Sequence, residues 1–130
     1  MINMRRLRKY DVRQLKRDAI ALTSRISLTE GDFRNAMQGG EQSLAMKLTV
    51  DPGKLPAEVC RAVRQFRQTH PGARVKTFIF HLNVPEEFPM RAMNGLYQAI
   101  RSMNWVAVKY GIAQLPGGGK ATARLFFFYK

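Results

Sequence analysis

Residues 75–84 carry apolar side chains at both odd and even positions, with Phe78, Ile79 and Phe80 at the centre. A strand with one face in water alternates apolar and polar residues, whereas a strand covered on both faces is apolar throughout. This segment therefore predicts an inner strand of a sheet that has packing elements on both sides. His81, near its end, is predicted to be a hydrogen-bonded structural histidine.

Helix and strand patterns alternate before this segment. Residues 11–40 predict two helices, because Asp11 and Thr29 each stand three residues before a side chain that can complete a capping box. Residues 44–50 alternate apolar and polar side chains, which predicts a half-buried strand. Further helices are predicted to begin near Pro56 and Pro89, and Cys60 in the first of them is expected to pack in the core.

The C-terminal segment predicts a β-hairpin with strands at residues 105–115 and 120–129 and a loop at residues 116–119. With Leu115 opposite Lys120, the strands sort into an apolar face and a mixed face. The apolar face is formed by Val106, Val108, Tyr110, Ile112, Ala121, Ala123, Leu125, Phe127 and Tyr129. The mixed face carries Trp105, Lys109, Lys120, Thr122, Arg124, Phe126 and Phe128. Two alternatives remain for the mixed face, namely exposure to a ligand or burial against the N-terminal helices or a second subunit.

The element order predicts an α+β fold, an α/β sandwich in which N-terminal helices precede a βαβαββ unit with a C-terminal β-hairpin and a four-stranded mixed sheet. A basic arm at residues 1–10 is expected before one compact domain at residues 11–130, with residues 11–40 helical and 43–129 forming the βαβαββ unit. In topology this order resembles the Alba-type chromatin proteins and the C-terminal domain of translation initiation factor 3, both small basic nucleic-acid binders. The resemblance is architectural and implies no site residues.

Basic residues are unevenly distributed along the chain, whose formal net charge is +13. Residues 1–25 hold eight basic and two acidic side chains, residues 26–60 hold three and five, and residues 61–130 hold eleven and two. Residues 88–130 contain six Lys or Arg and no Asp or Glu. Such an excess favours a polyanionic partner, because the cations would otherwise only repel one another.

The function predicted from this pattern is nucleic-acid binding, to DNA or RNA, through electrostatic phosphate contacts of low sequence specificity and without catalysis. The candidate contacts lie in the arm, the first helix, a ridge on the third helix and the hairpin: Arg5, Arg6, Arg8, Lys9, Arg13, Arg17, Arg61, Arg64, Arg67, Lys109, Lys120 and Arg124.

Two other functions stay open at this point. One is a small metal-independent ribonuclease that uses His70 or His81 as its general base. The other is an adaptor or inhibitor that docks on an acidic protein surface. No acid/base pair at fixed spacing supports the enzyme, so a protein without catalytic residues is the stronger prediction.

Cysteine and histidine are too scarce to predict a metal or a disulfide, since the chain has one Cys and two His. No cofactor is expected.

No segment approaches the roughly 20 apolar residues that span a bilayer, so we expect an intracellular, cytoplasmic protein with no membrane partner. An organellar presequence within residues 1–26 is the alternative, although Asp11 and Asp18 disfavour it. Whether the protein forms a homo-oligomer is left open.

Overall fold

The computed structural model describes residues 13–17, 28–39, 42–102, 107–115 and 119–130. Residues 13–17 are helical, as predicted for the first helix, and the predicted arm at residues 1–10, with Arg5, Arg6, Arg8 and Lys9, lies outside the described residues. The following elements are α1 (Glu30–Gly39), β1 (Gln42–Val50), a 3-10 turn (Pro52–Lys54), α2 (Leu55–Thr69), β2 (Val75–Pro85), α3 (Met90–Arg101), β3 (Ala107–Leu115) and β4 (Ala121–Tyr129). The predicted α+β fold, the βαβαββ order and the four-stranded mixed sheet are confirmed.

Local sequence signals account for the helix starts. The backbone N–H of Thr29 donates to the Asp32 carboxylate at 2.9 Å, and the N–H of Asp32 donates to the Thr29 hydroxyl at 3.2 Å. This reciprocal pair is the predicted capping box, and α1 begins one residue after Thr29. Pro56 lies in the first turn of α2, where its missing N–H leaves no hydrogen bond unmade.

The strands lie in the order β1-β4-β2-β3, so the predicted hairpin pairing is wrong. β4 runs antiparallel to both β1 and β2, and β3 runs parallel to β2. Of the nine residues of β4, all but Thr122 are buried, which suits a position inside the sheet rather than at its edge. The five residues between β3 and β4 are enough to reach across β2, a distance of about 10 Å.

The first face of the sheet forms the main core. It carries alternate residues of all four strands, including Leu44, Phe78 and Phe127, and it is covered by α2 and α3. Phe66 of α2 stacks on Phe127 with ring centroids 4.1 Å apart and planes 7° apart. The apolar residues predicted for the two C-terminal strands lie on this face wherever they are described. Successive side chains of a strand point to opposite faces of the sheet, so this part of the prediction holds even though the pairing of the two strands was predicted wrongly.

The second face of the sheet is partly covered by N-terminal helix. Phe126 and Phe128 are 1% and 2% exposed and pack with Leu15, Leu28 and Phe33. Phe33 meets the Phe126 ring edge-to-face at 5.0 Å. Of the two alternatives left open for these rings, burial against the N-terminal helices is therefore confirmed.

The strand order can be tested by cross-linking in a Cys60→Ala background. Thr49 lies opposite Thr122 in the β1–β4 register, so a Thr49→Cys/Thr122→Cys pair is expected to form a disulfide, which needs Cα atoms about 4.4–6.8 Å apart. The control pair, Ala113→Cys/Thr122→Cys, is expected to stay reduced because β2 lies between these residues and separates them by about 10 Å. Thiol labelling and mass spectrometry after mild oxidation would report both. If only the control pair formed a disulfide, β3 and β4 would be neighbours, as the predicted hairpin requires.

Candidate nucleic-acid interface

Arg61, Arg64 and Arg67 are all exposed on α2, on the side of the helix turned away from the sheet. The exposed Arg61 side chain lies 3.4 Å from the carboxylate of the half-buried Glu58, one turn earlier in α2. The Nε of Arg64 donates to the Cys60 carbonyl at 3.4 Å, which holds the start of that side chain against its own helix. The predicted ridge is therefore present on the surface, with one carboxylate beside its first arginine.

Lys120 is exposed just before β4 and makes a 2.8 Å ion pair with Asp51, which follows β1. The hydrogen bond from Lys120, followed by its charge and that of Lys54, lowers the pKa of the Asp51 carboxyl. This contact joins the ends of two neighbouring strands. Lys120 therefore has a protein carboxylate as well as solvent to interact with, and an anionic ligand would compete with Asp51 for it.

Arg124 was predicted to contact phosphate from a hairpin face whose exposure was left open, and the structure decides that exposure. It is 7% exposed and lies in β4 between β1 and β2. An interior strand has a neighbour on each side, so its side chains are sheltered from two directions. The side chain belongs to the second face, on the half that lies beyond the Phe126 and Phe128 cluster.

This part of the second face is polar, and we call it the polar half. Two rows run across the strands. In the first, Lys47, Arg124, His81 and Gly111 are register partners in succession. In the second, the partners are Thr49, Thr122, Asn83 and Ala113. Directly opposed residues project from the same face, so Lys47 and Arg124 are neighbouring cations.

His81 is buried at 0% exposure beside Arg124. Burial, followed by the Arg124 charge, lowers the pKa of His81 from 6.5 to about 4. Both causes disfavour the charged imidazolium, since it would be poorly solvated and close to a permanent cation. The ring is therefore neutral at physiological pH. Its burial agrees with the predicted structural role.

His70 lies on the other side of the sheet. Its ring stacks on Phe66 at 4.6 Å, and Nδ1 is 2.9 Å from the Thr69 hydroxyl. It also meets Tyr129 of the main core edge-to-face. The two histidines are thus packed on opposite faces of the sheet and do not form one site.

Cys60 is half-buried among the residues packed against the main core, as predicted. Burial raises the pKa of its thiol, and the nearby Arg64 offsets part of this effect. A thiol with a raised pKa is a poor nucleophile at neutral pH, because the thiolate is the reactive form.

The remaining predicted contacts divide between the two sides of the molecule. Arg13 and Arg17 are exposed on the N-terminal helical segment, and Lys109 is exposed on the edge strand β3. Lys109 shares a register row with Ile79 and Phe126, so it projects from the second face. The α2 ridge lies over the first face, and the sheet separates it from Lys109 and Arg124. Among the described residues, the α2 ridge and Lys109 therefore lie on opposite sides of the sheet and do not form one continuous groove.

Sequence reasoning did not predict the surroundings of Lys47 and Thr49 in the sheet. Their alternation within β1 indicated a solvent-facing side, but nothing local indicated that β4 would pair with β1 and place Arg124 beside Lys47. The proximity of these two cations appears only in the assembled sheet.

A mostly apolar cavity of about 270 Å³ opens between the start of α2 and the turn that follows β2. Its lining includes Pro52, Pro56, Pro85 and Phe88, with Glu87 as the charged side chain. No Lys or Arg is among the described residues that line it, so this cavity is separate from the α2 ridge. Within the described ranges, no three His, Cys, Asp or Glu side chains gather as a metal site. None of the helices described is both long enough and apolar enough to cross a membrane.

No family model and no curated protein matches this sequence. Among solved structures, the chain is similar to thiamine monophosphate kinase from Aquifex aeolicus, with 14% identity, a TM-score of 0.49 and coverage of 94% of this chain and 41% of that one. It is also similar to two structures of E. coli HypE, a hydrogenase maturation protein, with 13% and 15% identity and TM-scores of 0.41 and 0.43. These matches cover 93% and 94% of this chain and 43% and 42% of HypE. The chain thus spans about two fifths of the length of these proteins.

Proposed function

We propose that the protein binds DNA or RNA through phosphate contacts that read no base sequence, and that it does so without catalysis. The observation that carries this proposal is the exposed arginine ridge of α2. From Arg61 to Arg67 the helix rises about 9 Å. One strand of B-DNA presents about three phosphates over that axial distance. The net charge of +13 supplies the long-range attraction.

Docking on an acidic protein is less well supported by the surface. Protein interfaces usually place aromatic or Met side chains at their centre, within a polar rim. Over the described ranges, the large apolar side chain that is strongly exposed is Met37, at 60%, and it lies on α1 rather than on the ridge. A surface of guanidinium groups without an apolar centre favours a phosphate backbone.

The ribonuclease alternative also loses support from the positions of the histidines. A general base must lie within hydrogen-bond reach of the hydroxyl it deprotonates. His81 is fully buried, and His70 is stacked in the aromatic cluster of the main core. His81 lies across the sheet from the α2 ridge, and His70, which follows the last residue of α2, is held by its contacts with Phe66 and Thr69.

Salt-dependent binding tests this proposal. We expect the wild-type protein to bind single- and double-stranded oligonucleotides in 50 mM salt and to lose affinity steeply by 200 mM, because each phosphate contact releases a counterion. A triple variant, Arg61→Gln/Arg64→Gln/Arg67→Gln, is expected to bind more weakly and to reduce the slope of log K against log salt by up to about 3 for duplex DNA. Fluorescence anisotropy across a salt series measures both quantities.

A second variant separates the ridge from general charge. Arg91→Gln/Arg101→Gln removes two exposed cations from α3 and is expected to change the slope less than the triple variant. Equal losses per charge in the two variants would mean that net charge alone drives binding. Absence of binding at low salt, or affinity that does not change with salt, would contradict the proposed function.

A further inference from the structure

One end of the molecule brings together the last turns of the two helices that cover the main core. β1, β2 and β3 run in the same direction, because β4 is antiparallel to β1 and β2 while β3 is parallel to β2. α2 and α3 each connect two of these strands, so both helices run back and end where β2 and β3 begin and β4 ends. We call this end the basic end, because its described residues include no Asp or Glu and carry these cations: Arg67, Arg74, Lys76, Arg101 and Lys130.

The opposite end, where α2 and α3 begin, carries the carboxylates of this part of the chain. All the acidic residues between positions 42 and 130 lie there: Asp51, Glu58, Glu86 and Glu87. Asp51 and Glu58 are each paired with a neighbouring cation. At the basic end, by contrast, no ion pair within the described part of the chain involves Arg74, Lys76 or Lys130. The two ends of the molecule therefore differ in charge.

Arg74 and Lys130 are held side by side by their backbones. The N–H of Arg74 donates to the Lys130 carbonyl at 3.0 Å, and the N–H of Lys130 donates to the Arg74 carbonyl at 3.0 Å. Residues that exchange both hydrogen bonds have Cα atoms about 5.5 Å apart and project from the same side of a sheet. The register between β2 and β4 then shifts between Val75 and Thr77, so a bulge adds Lys76 next to this pair.

Helix dipoles account for only some of the cations at the basic end. Arg67 and Arg101 lie in the last turns of α2 and α3, where a cation offsets the partial negative charge of a helix end. Arg74, Lys76 and Lys130 lie on or beside strands, so this effect does not explain them. Arg74 and Lys130 are exposed and Lys76 is half-buried, so their charged groups are available to a ligand in solvent.

The basic end adjoins the α2 ridge. His70 follows the last residue of α2, and the N–H of Ala73 donates to the His70 carbonyl at 3.0 Å, which closes a tight turn before Arg74. The helix rise and the width of such a turn limit the distance between the Cα atoms of Arg67 and Arg74 to about 16 Å. One strand of B-DNA presents about five phosphates over that axial distance. A short stretch of backbone is thus long enough to contact both.

We propose that Arg74, Lys76 and Lys130 form a second set of contacts to backbone phosphates, which continues the α2 ridge around the end of α2. This inference rests on the proposed function, because it names further contacts to the same nucleic acid. The bound strand follows α2 from Arg61 to Arg67 and passes on to the basic end. The opposite end stays outside the contact, since its carboxylates would repel phosphate. The difference in charge between the ends also orients the protein as it approaches the polyanion.

A matched pair of double variants tests the basic end. Arg74→Gln/Lys130→Gln removes one Arg and one Lys there, and Lys54→Gln/Arg91→Gln removes one of each at the opposite end. All four residues are exposed, so both variants are expected to unfold in urea at the wild-type midpoint. By fluorescence anisotropy with duplex DNA in 50 mM salt, the first variant is expected to bind at least about tenfold more weakly than the wild type. Its slope of log K against log salt is expected to fall by up to about 2, and the second variant is expected to change both quantities less.

The outcomes separate the basic end from the proposed function. If the duplex binds and the two double variants lose affinity equally, net charge alone drives binding and the basic end is overturned. If the duplex binds and Arg74→Gln/Lys130→Gln behaves like the wild type, the basic end is overturned while the proposed function stands. A loss confined to Arg74→Gln/Lys130→Gln, together with shifts of the backbone amide signals of residues 74, 76 and 130 on adding the duplex, supports the basic end. Absence of any binding at low salt contradicts both.

Discussion

Replacing Phe127 by alanine is expected to lower the free energy of unfolding by about 3–5 kcal/mol. The Phe127 side chain is fully buried at the centre of the main core. It stacks on Phe66 at 4.1 Å and lies 4.8 Å from the Phe78 ring, so its removal leaves a cavity between α2 and the sheet. The loss combines the transfer free energy of the ring with the cost of that cavity. Urea denaturation followed by circular dichroism measures it.

Met37→Ala is the comparison for Phe127→Ala, because Met37 is a large apolar residue at 60% exposure. Its replacement is expected to change the free energy of unfolding by no more than about 0.5 kcal/mol. Phe127→Leu keeps part of the buried volume and is expected to fall between the two. A Phe127→Ala variant as stable as Met37→Ala would mean that β4 is not inside the sheet.

His81 is expected to make the protein less stable as the pH falls from about 6.5 to about 4. Burial and the Arg124 charge lower the pKa of this ring from 6.5 to about 4 in the folded state. Between these values the unfolded chain binds a proton that the folded chain does not, so acid favours unfolding and stability rises with pH. The contribution is complete above the unfolded pKa, and about 3 kcal/mol is lost across the window.

The measurement is the free energy of unfolding in urea at several pH values between 4 and 7.5, for the wild type and for His81→Gln. Carboxylates titrate in the same range, so the difference between the two proteins isolates the ring. His70→Gln is the matched control, because it removes the other imidazole and leaves the row of Lys47, Arg124 and His81 intact. Parallel pH profiles for wild type and His81→Gln would contradict the burial of this ring beside Arg124.

The prediction of the elements succeeded because their signals are local. The Thr29 and Asp32 pair indicated the start of α1, and Pro56 indicated the start of α2. The apolar run around Phe78 indicated a strand covered on both faces, and β2 lies inside the sheet between β4 and β3. Each of these features depends on the backbone geometry of a few consecutive residues.

The prediction of the candidate site succeeded only in part. Arg61, Arg64 and Arg67 are exposed on one helix, as their spacing from the buried stripe required. Lys109 and Arg124 were assigned to one side of a hairpin, and both do project from the second face of the sheet. Arg124 is nevertheless buried, since β4 lies between β1 and β2 rather than at an open hairpin.

The amino-acid sequence by itself determined the excess of positive charge, the order of the elements and the side of its own strand on which each residue lies. A strand turns successive side chains to opposite faces whatever its neighbours are, so this sorting held even though the predicted pairing of β3 with β4 was wrong. Only the tertiary structure decided that β4 lies between β1 and β2. That choice depends on covering a nearly continuous apolar strand on both faces and both edges, which involves residues far apart in the chain. That order places Arg124, which is buried, between Lys47 of β1 and the buried His81 of β2.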